Sequence, residues 1–371
     1  MKPEENQELI ESLRLSLVTD VGPITRRALL ERFGSPAAVF EAAPDELRAV
    51  KGVGPKLLGR ILAAREEVDP MREIDVCREH GITILIESDE GYPRSLREIH
   101  DPPSVLFVRG QLLPSDAMAV AIVGTRHATR YGLQQAERLA SGLARAGVTV
   151  VSGLARGIDG AAHRGAMAAG GRTIAVLGSG LLRLFPPEHQ ELADEIADSG
   201  AVLSELPPEI EPRGGNFPQR NRIISGLSLG TIVIEAPERS GALITARLAN
   251  EQGRDVFAVP GRVDSRPSRG CHRLLRDGAT LVESVDDVLE QLGFLVEAAP
   301  QEDGTELRHP AELTLNDIER KVLDAIDSEP TSIDGLVSTT GLAVPRVLST
   351  VSVLEMRRLV RRLSGTTVVR S

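Results

Sequence analysis

The chain has no tryptophan, and aromatic residues of every kind make up 2% of its 371 positions, as two tyrosines and seven phenylalanines. So sparse a set argues against a sugar-binding cleft, an aromatic cage or a nucleic-acid module built on a broad stacking platform. Two cysteines, Cys77 and Cys271, are too few for a disulfide framework or a four-thiolate zinc site. The opening segment, MKPEENQELIES, is acidic and lacks the apolar stretch of a signal peptide. No apolar run reaches the roughly 18 residues that a membrane span requires. A cytoplasmic protein without membrane contact is therefore expected. Basic excess is missing too: the net charge is -10 and the pI about 5.4. Such a chain repels nucleic acid unless its cations are gathered in one place. Lysine occurs only at 2, 51, 56 and 321, which leaves 39 of the 43 cations as arginine. The planar guanidinium suits phosphate and stacks on bases, although a biased genomic composition produces the same ratio.

What is present divides into three regions, in keeping with the two or three domains that this length suggests. Residues 1–70 carry apolar positions at helical spacing (Leu9, Leu13, Leu17; Ala28, Leu29, Phe33). Two turns interrupt them, Asp20-Val21-Gly22-Pro23 and Lys51-Gly52-Val53-Gly54-Pro55. The second has the form of a helix-hairpin-helix turn, whose amides can face a DNA phosphate. Such hairpins also serve as plain packing units, and this region is acidic.

Residues 71–296 alternate Val- and Ile-rich runs with helix-length amphipathic segments. The runs include ITILIE (82–87), AVAIVG (119–124), VTVVSG (148–153), TIAVLG (173–178) and GTIVIEA (230–236). Repeated strand–helix units with buried-type strands imply an α/β, doubly wound, mostly parallel sheet. An acidic stretch with Pro and Gly, 297–312, reads as a linker. Residues 313–371 show three helix patterns and a terminal hairpin, the pattern of a winged helix.

Ligands of such sheets bind where strands end. Four strand-end turns are rich in glycine and carry Arg or hydroxyls: Gly124-Thr125-Arg126, Ser152-Gly153, Gly178-Ser179-Gly180 and Ser240-Gly241. Glycine lets backbone amides approach an anion, and a following helix N-terminus favours it. Together the four turns point to an anion-rich ligand. Gly178-Ser179-Gly180 continues to Arg183 where a dinucleotide fingerprint needs glycine, and no Walker A phrase occurs, so no cofactor is expected. The phrase Phe217-Pro218-Gln219-Arg220-Asn221-Arg222 reads either as a solvated face or as a basic edge for a sugar-phosphate backbone, with Asn221 fixing loop geometry or a base edge. Asp159 and His163 lie one helical turn apart without a third metal ligand, so a capping Asp and a buried polar His are expected rather than a metal site. Glu205 and Glu235 end strands as general bases or as loop anchors.

The phrases VAIVGTRHATRYG (120–132), VVSGLARGIDGAAHRGAM (150–167), FPQRNRIISGLS (217–228), IVIEAPERSGALITARLANEQGRDVFAVPG (232–261) and SRGCHRLLRDGAT (268–280) resemble the DNA-processing protein A (DprA/Smf) family. The resemblance implies an extended Rossmann-like fold between a helix-hairpin-helix/SAM-like domain and a winged-helix domain. It implies binding of single-stranded DNA without sequence preference, protection of incoming strands in natural transformation, loading of the RecA recombinase and self-association as a homodimer through the Rossmann domain, with no chemical reaction. Carried onto this chain, the strand site would use Arg126 and its turn, Ser152-Gly153, the Gly178–Gly180 turn, Arg220 and Arg222. Thr125 replaces the family's usual Ser and keeps the hydroxyl. Phe185-Pro186 stands where a Tyr-Pro turn is usual; Phe185 can still stack a base. His272 replaces an expected Asn. The tail offers Arg346, Arg357, Arg358, Arg361, Arg362 and Arg370 for duplex DNA, or else a protein-docking face. The other reading is a nucleotide-processing enzyme of the phosphoribohydrolase type. It would need a PGGxGTxxE phrase, whereas the corresponding strand end reads EAPERSGALITA.

Overall fold

Proline opens every helix of the N-terminal region in the computed structural model, which describes residues 3–293, 299–300, 306–307, 317–326, 331–356, 359–364 and 367–370. The helices are α1 (Pro3–Leu17), α2 (Pro23–Phe33), α3 (Pro36–Glu41), α4 (Pro44–Arg48), α5 (Pro55–Glu67) and α6 (Pro70–Glu79). Proline fixes φ near the helical value and lacks only an N–H that has no partner at that position. The two hairpin turns have equivalent backbones: Gly52 sits at φ +96 in one, and Asp20 takes the left-handed conformation at φ +72 in the other, braced by an ion pair to Arg60. Leu15, Leu29, Phe40, Leu47, Leu57 and Ile61 form the core of this unit. Leu13 of α1 and Ile74 and Cys77 of α6 turn instead to the large sheet and fix the unit against it.

The sheet has nine strands: β1 (Thr83–Ile86), β2 (Val105–Gly110), β3 (Ala119–Val123), β4 (Thr149–Ser152), β5 (Thr173–Val176), β6 (Ala201–Ser204), β7 (Gly230–Val233), β8 (Asp255–Ala258) and β9 (Thr280–Leu281). Their order is β1-β2-β6-β5-β4-β3-β7-β8-β9. The seven from β6 to β9 run parallel, and β1 and β2 add an antiparallel margin. Helices α7 (Arg94–Arg97), α8 (Arg130–Arg145), α9 (Ile158–Ala168), α10 (Gln190–Ser199), α11 (Asn216–Gly226), α12 (Gly241–Glu251), α13 (Arg269–Arg276) and α14 (Val285–Gly293) complete the layers. Side chains alternate along each strand. On β3, Ala119, Ala121 and Val123 face α11, α12 and α13, while Val120 and Ile122 face α8 and α9. The mostly parallel, doubly wound architecture expected from the apolar runs is what forms. The chain fills one side of β3 first and then crosses to the other, so the order switches between β3 and β7.

Ala299–Pro300 (β10) and Glu306–Leu307 (β11) pair briefly. The rest of residues 297–312, expected as a linker, lies outside the described residues. The C-terminal unit comprises α15 (Asp317–Asp324), β12 (Thr331–Ser332), α16 (Ile333–Thr340), α17 (Val344–Met356), β13 (Val360–Ser364) and β14 (Thr367–Arg370), with its strands ordered β12-β14-β13. Gly341 at φ +67 ends α16, and α17 departs at 110° around a core of Leu323, Leu336, Val347, Val351 and Leu354. This is a helix-turn-helix with a β wing. Among the described residues no single helix is long and apolar enough to cross a membrane.

Candidate nucleic-acid interface

The turns singled out in the sequence meet at the carboxyl ends of β3, β4, β5 and β7, around the switch in strand order. The turn after β3 is held from both sides: the Thr125 N–H donates to the Glu235 carbonyl (2.7 Å) and the Thr125 carbonyl accepts from the Ile158 N–H (3.3 Å). The Thr125 hydroxyl accepts from the His127 N–H (3.2 Å) and closes the turn on itself. A Cβ on Gly124 would lie 2.4 Å from Ile158, so only glycine admits this approach. Glu235 is buried and occupied, accepting from both the N–H (2.9 Å) and the hydroxyl (2.6 Å) of Thr129, the N-cap of α8. It is a loop anchor.

This scaffold leaves Arg126 exposed, with its guanidinium carbon 5.0 Å from the centre of the Phe217 ring. Phe217 in turn meets Phe185 at 5.9 Å with the rings tilted by 55°. Two half-buried aromatic rings under an exposed cation form a small platform with an electropositive lid. Gly178 makes room for it, since a Cβ there would sit 2.7 Å from the Phe217 ring. The role of the Gly178–Gly180 turn is thus steric. The Gly180 N–H is already donated to the Ile210 carbonyl (2.8 Å).

Arg220, three residues after Phe217 in α11, is 4% exposed. Its Nη1 donates to the carbonyls of Gly153 (2.8 Å) and Val176, and a Cβ on Gly153 would collide with the guanidinium. Burial pushes its pKa down to about 10, with Asp159 opposing the shift and Arg126 adding to it. It remains charged at neutral pH, a fixed positive group within electrostatic reach of Arg126. Burial likewise raises the Asp159 carboxyl, against the pull of Arg220 and the Ala155 N–H. His163 donates through Nδ1 to the Thr173 hydroxyl (2.7 Å), because that hydroxyl gives its own proton to the Val150 carbonyl (2.7 Å). Burial, with the neighbouring cations, pushes the His163 pKa down to about 3, so the ring is neutral. His163 therefore makes the buried polar contact expected of it. Among the described residues no three His, Cys, Asp or Glu side chains converge as a metal site.

The remaining candidates divide. The Ser152 hydroxyl is fully buried and donates to the Ile122 carbonyl (2.6 Å). Asn221 donates to the Gly241 carbonyl (3.3 Å), and the Ser240 hydroxyl accepts from the Ala242 N–H (3.3 Å), so these three form the capped start of α12 beside the platform. Arg222 does not join the group. It is 5% exposed, and its Nε and Nη2 bind Asp101 (2.9 Å) and Glu205 (2.6 Å). Burial alone would lower its pKa, but the two carboxylates outweigh it and the net shift is upward. Neither Arg220 nor Arg222 forms a solvated face or an open basic edge, because every residue from Arg220 through the end of α11 to Ser228 is buried. Glu205, like Glu235, is an anchor.

Two features escaped the sequence reading. Phe217 is the platform's second ring, and its signal was an aromatic before proline in a chain with nine aromatics. Arg156, exposed on the loop after β4, pairs with Glu188 just beyond Phe185, and that hydrogen-bonded pairing pulls the Glu188 carboxyl down to about 2. In the tail, Arg346 is exposed, whereas Arg357 and Arg358 and the side chains of Arg361, Arg362 and Arg370 lie outside the described residues.

Residues 83–293 match the family model for DNA recombination-mediator protein A. The chain belongs to the DprA family. Residues 306–366 match the DprA winged-helix model and 12–67 a SAM-like helix-hairpin-helix tandem. Protein Smf of a Synechocystis strain is 36% identical over 390 residues, covering 97% of this chain and 98% of its own. The X-ray structure of DprA from Streptococcus pneumoniae superposes with a TM-score of 0.66 at 37% identity, over 76% of this chain and 95% of that one. DprA from Helicobacter pylori, whose structure was determined for its single-stranded DNA binding mode, gives 0.52 at 31% identity, over 57% and 95%. A phosphoribohydrolase reading is not favoured by this membership, and both of its candidate bases are engaged as anchors.

Proposed function

We propose that this DprA-family chain is a cytoplasmic recombination mediator that binds single-stranded DNA, protects the incoming strand and hands it to RecA during natural transformation, without catalysing a reaction. The observation that carries the reading is the Arg126 guanidinium over the Phe217–Phe185 rings at the switch point of the sheet. A base stacks on the rings, Arg126 turns to the adjoining phosphate, and the fixed charge of Arg220 supports both. Nothing in that arrangement selects a base by hydrogen bonding, in keeping with sequence-neutral binding. The turns of Gly124, Thr125, Gly153, Gly178 and Gly180 shape the site, and the Asn221–Ser240–Gly241 cap borders it. The resemblance to the family supports self-association as a homodimer through the Rossmann-like domain, and the edge strand β9 with exposed Leu281 offers a surface for it.

The test is oligothymidylate binding across a salt series with duplex competitor. Arg126→Ala is expected to weaken binding about tenfold and to flatten the salt slope by about 0.7, the value of one lost phosphate contact on a single strand. An unchanged dissociation constant and slope would remove Arg126 from the site.

A further inference from the structure

Eight aromatic residues fall among the described positions. Phe40, Tyr92, Phe107 and Phe257 are buried in cores and Phe33 packs within the N-terminal helices. The other three, Phe185, Phe217 and Tyr131, all keep ring surface at the carboxyl edge of the sheet. The first two form the platform already described. Tyr131, in the first turn of α8, is 43% exposed, more than any other aromatic among the described residues. Its hydroxyl donates to the Pro260 carbonyl (2.8 Å), which pins the ring against the loop after β8. Burial raises the phenol pKa, so the hydroxyl keeps its proton for that bond.

Beside the ring lies a cavity of about 540 Å³, lined by Thr129, Arg262, Ser265 and Ser268 as well as Tyr131. The volume is within the range of small-ligand sites. Glu235 reaches its wall, but both carboxylate oxygens are taken by Thr129. Arg262 is exposed and, among the described residues, pairs only with Asp264, two residues on. Arg130 and Arg266 do not line the cavity but adjoin its lining residues Thr129, Tyr131 and Ser265 in the sequence; both are exposed and have no ion pair or side-chain hydrogen bond among the described residues. An exposed ring, hydroxyls and unpaired guanidiniums suit a nucleotide. Arg126 and Thr129 are three residues apart in one turn, at most about 11 Å of chain, so the platform and this cavity are neighbours.

We propose that the single strand leaving the Arg126–Phe217 platform continues over the ends of β7 and β8, where a further base stacks on Tyr131 and its phosphates meet Arg130 and Arg266. This rests on the strand-binding function proposed above and extends its footprint. A pre-positioned ring loses little freedom on binding. Tyr131 thereby supplies stacking that a chain so poor in aromatics otherwise lacks on that side.

The absence of tryptophan provides the test. Tyr92 and Tyr131 are the only tyrosines, and Tyr92 is buried, so the emission difference between the wild type and Tyr131→Phe isolates Tyr131. Both proteins are titrated with oligothymidylates of about 4 and about 12 nucleotides, lengths that bracket common single-strand site sizes, while anisotropy of labelled DNA reports occupancy. The Tyr131 emission is expected to fall about twofold or more at saturation with the longer strand and to change little with the shorter one. In parallel, Tyr131→Ala and Arg266→Ala are expected to weaken the longer strand about fivefold while sparing the shorter, and Tyr131→Phe to keep near wild-type affinity. Saturated anisotropy with unchanged Tyr131 emission overturns the extension alone. No anisotropy change in the wild type overturns the strand-binding reading with it.

Discussion

Arg220 shows how far residue type falls short of residue role. Its neighbours in the sequence suggest a basic, accessible turn, yet its guanidinium is enclosed by the Gly153 and Val176 carbonyls. Nothing in a single sequence distinguishes a solvated Arg from one that a glycine has been vacated to receive. Arg126 was legible because its turn follows a strand at a glycine, where a side chain has no helix or core to enter. Arg220→Ala is therefore expected to act on stability more than on contact with a ligand. It leaves Asp159 buried without its cation, at a cost of about 3 kcal/mol. The Asp159 pKa, already raised by burial, rises further in the variant. A carboxyl whose folded pKa exceeds its unfolded value favours the folded state at low pH and loses that contribution as pH rises through the unfolded value and on to the folded one. The melting deficit of Arg220→Ala should thus be larger at pH 8 than at pH 5, and equal deficits at both would exclude Asp159 as the cause.

At the scale of elements, the apolar runs mark eight of the nine strands of the large sheet; for the parallel ones the reason is that a strand buried on both faces leaves an unbroken Val/Ile signature. Strand β9 is two residues long and carries too little pattern to be seen. The antiparallel direction of β1 and β2 is equally silent, since hydrophobicity carries no sense of direction. Helix α11 misleads for a related reason: beyond its exposed Pro218 and Gln219 it is pressed between the sheet, α7 and α12, with no solvated side to give it an amphipathic rhythm. Its first turn delivers Phe217, and the fit depends on Gly178. Gly178→Ala would force a methyl to 2.7 Å from a ring that Phe185 and Arg126 already confine. The expected loss is about 1–3 kcal/mol of stability, the usual penalty of overpacking, together with weaker oligothymidylate binding. Differential scanning calorimetry and anisotropy on the same sample check both.

For the whole molecule, the acidic total conceals a division of labour. The stretch from 111 to 290 carries 19 cations, all arginine, against 21 acids. Many of those arginines are consumed in ion pairs, such as Arg172 with Asp116 and Arg222 with Asp101 and Glu205. Those left unpaired at the strand ends stand out for that reason. The winged-helix unit has its own core, and its exposed α17 presents Val344 and Leu348 beside the single cation Arg346. We propose that this surface meets a protein rather than a phosphate backbone. Removal of residues 297–371 is accordingly expected to leave single-strand affinity within about twofold, well under the loss from even one good stacking contact. A tenfold loss in the shortened chain would place DNA contacts in the tail.

The guanidinium resting on Phe217 has a further consequence for the protein before any strand arrives. Two neighbouring rings left bare at the rim of a cleft would be adhesive, an invitation to other apolar surfaces and to second copies of the chain. Arg126 sheathes the Phe217 ring with a hydrated cation. A passing apolar segment cannot draw that sheath aside, but a phosphate, which competes for the cation itself, can. On this reading the platform stays covered in the free protein, and a polyanion is what uncovers it.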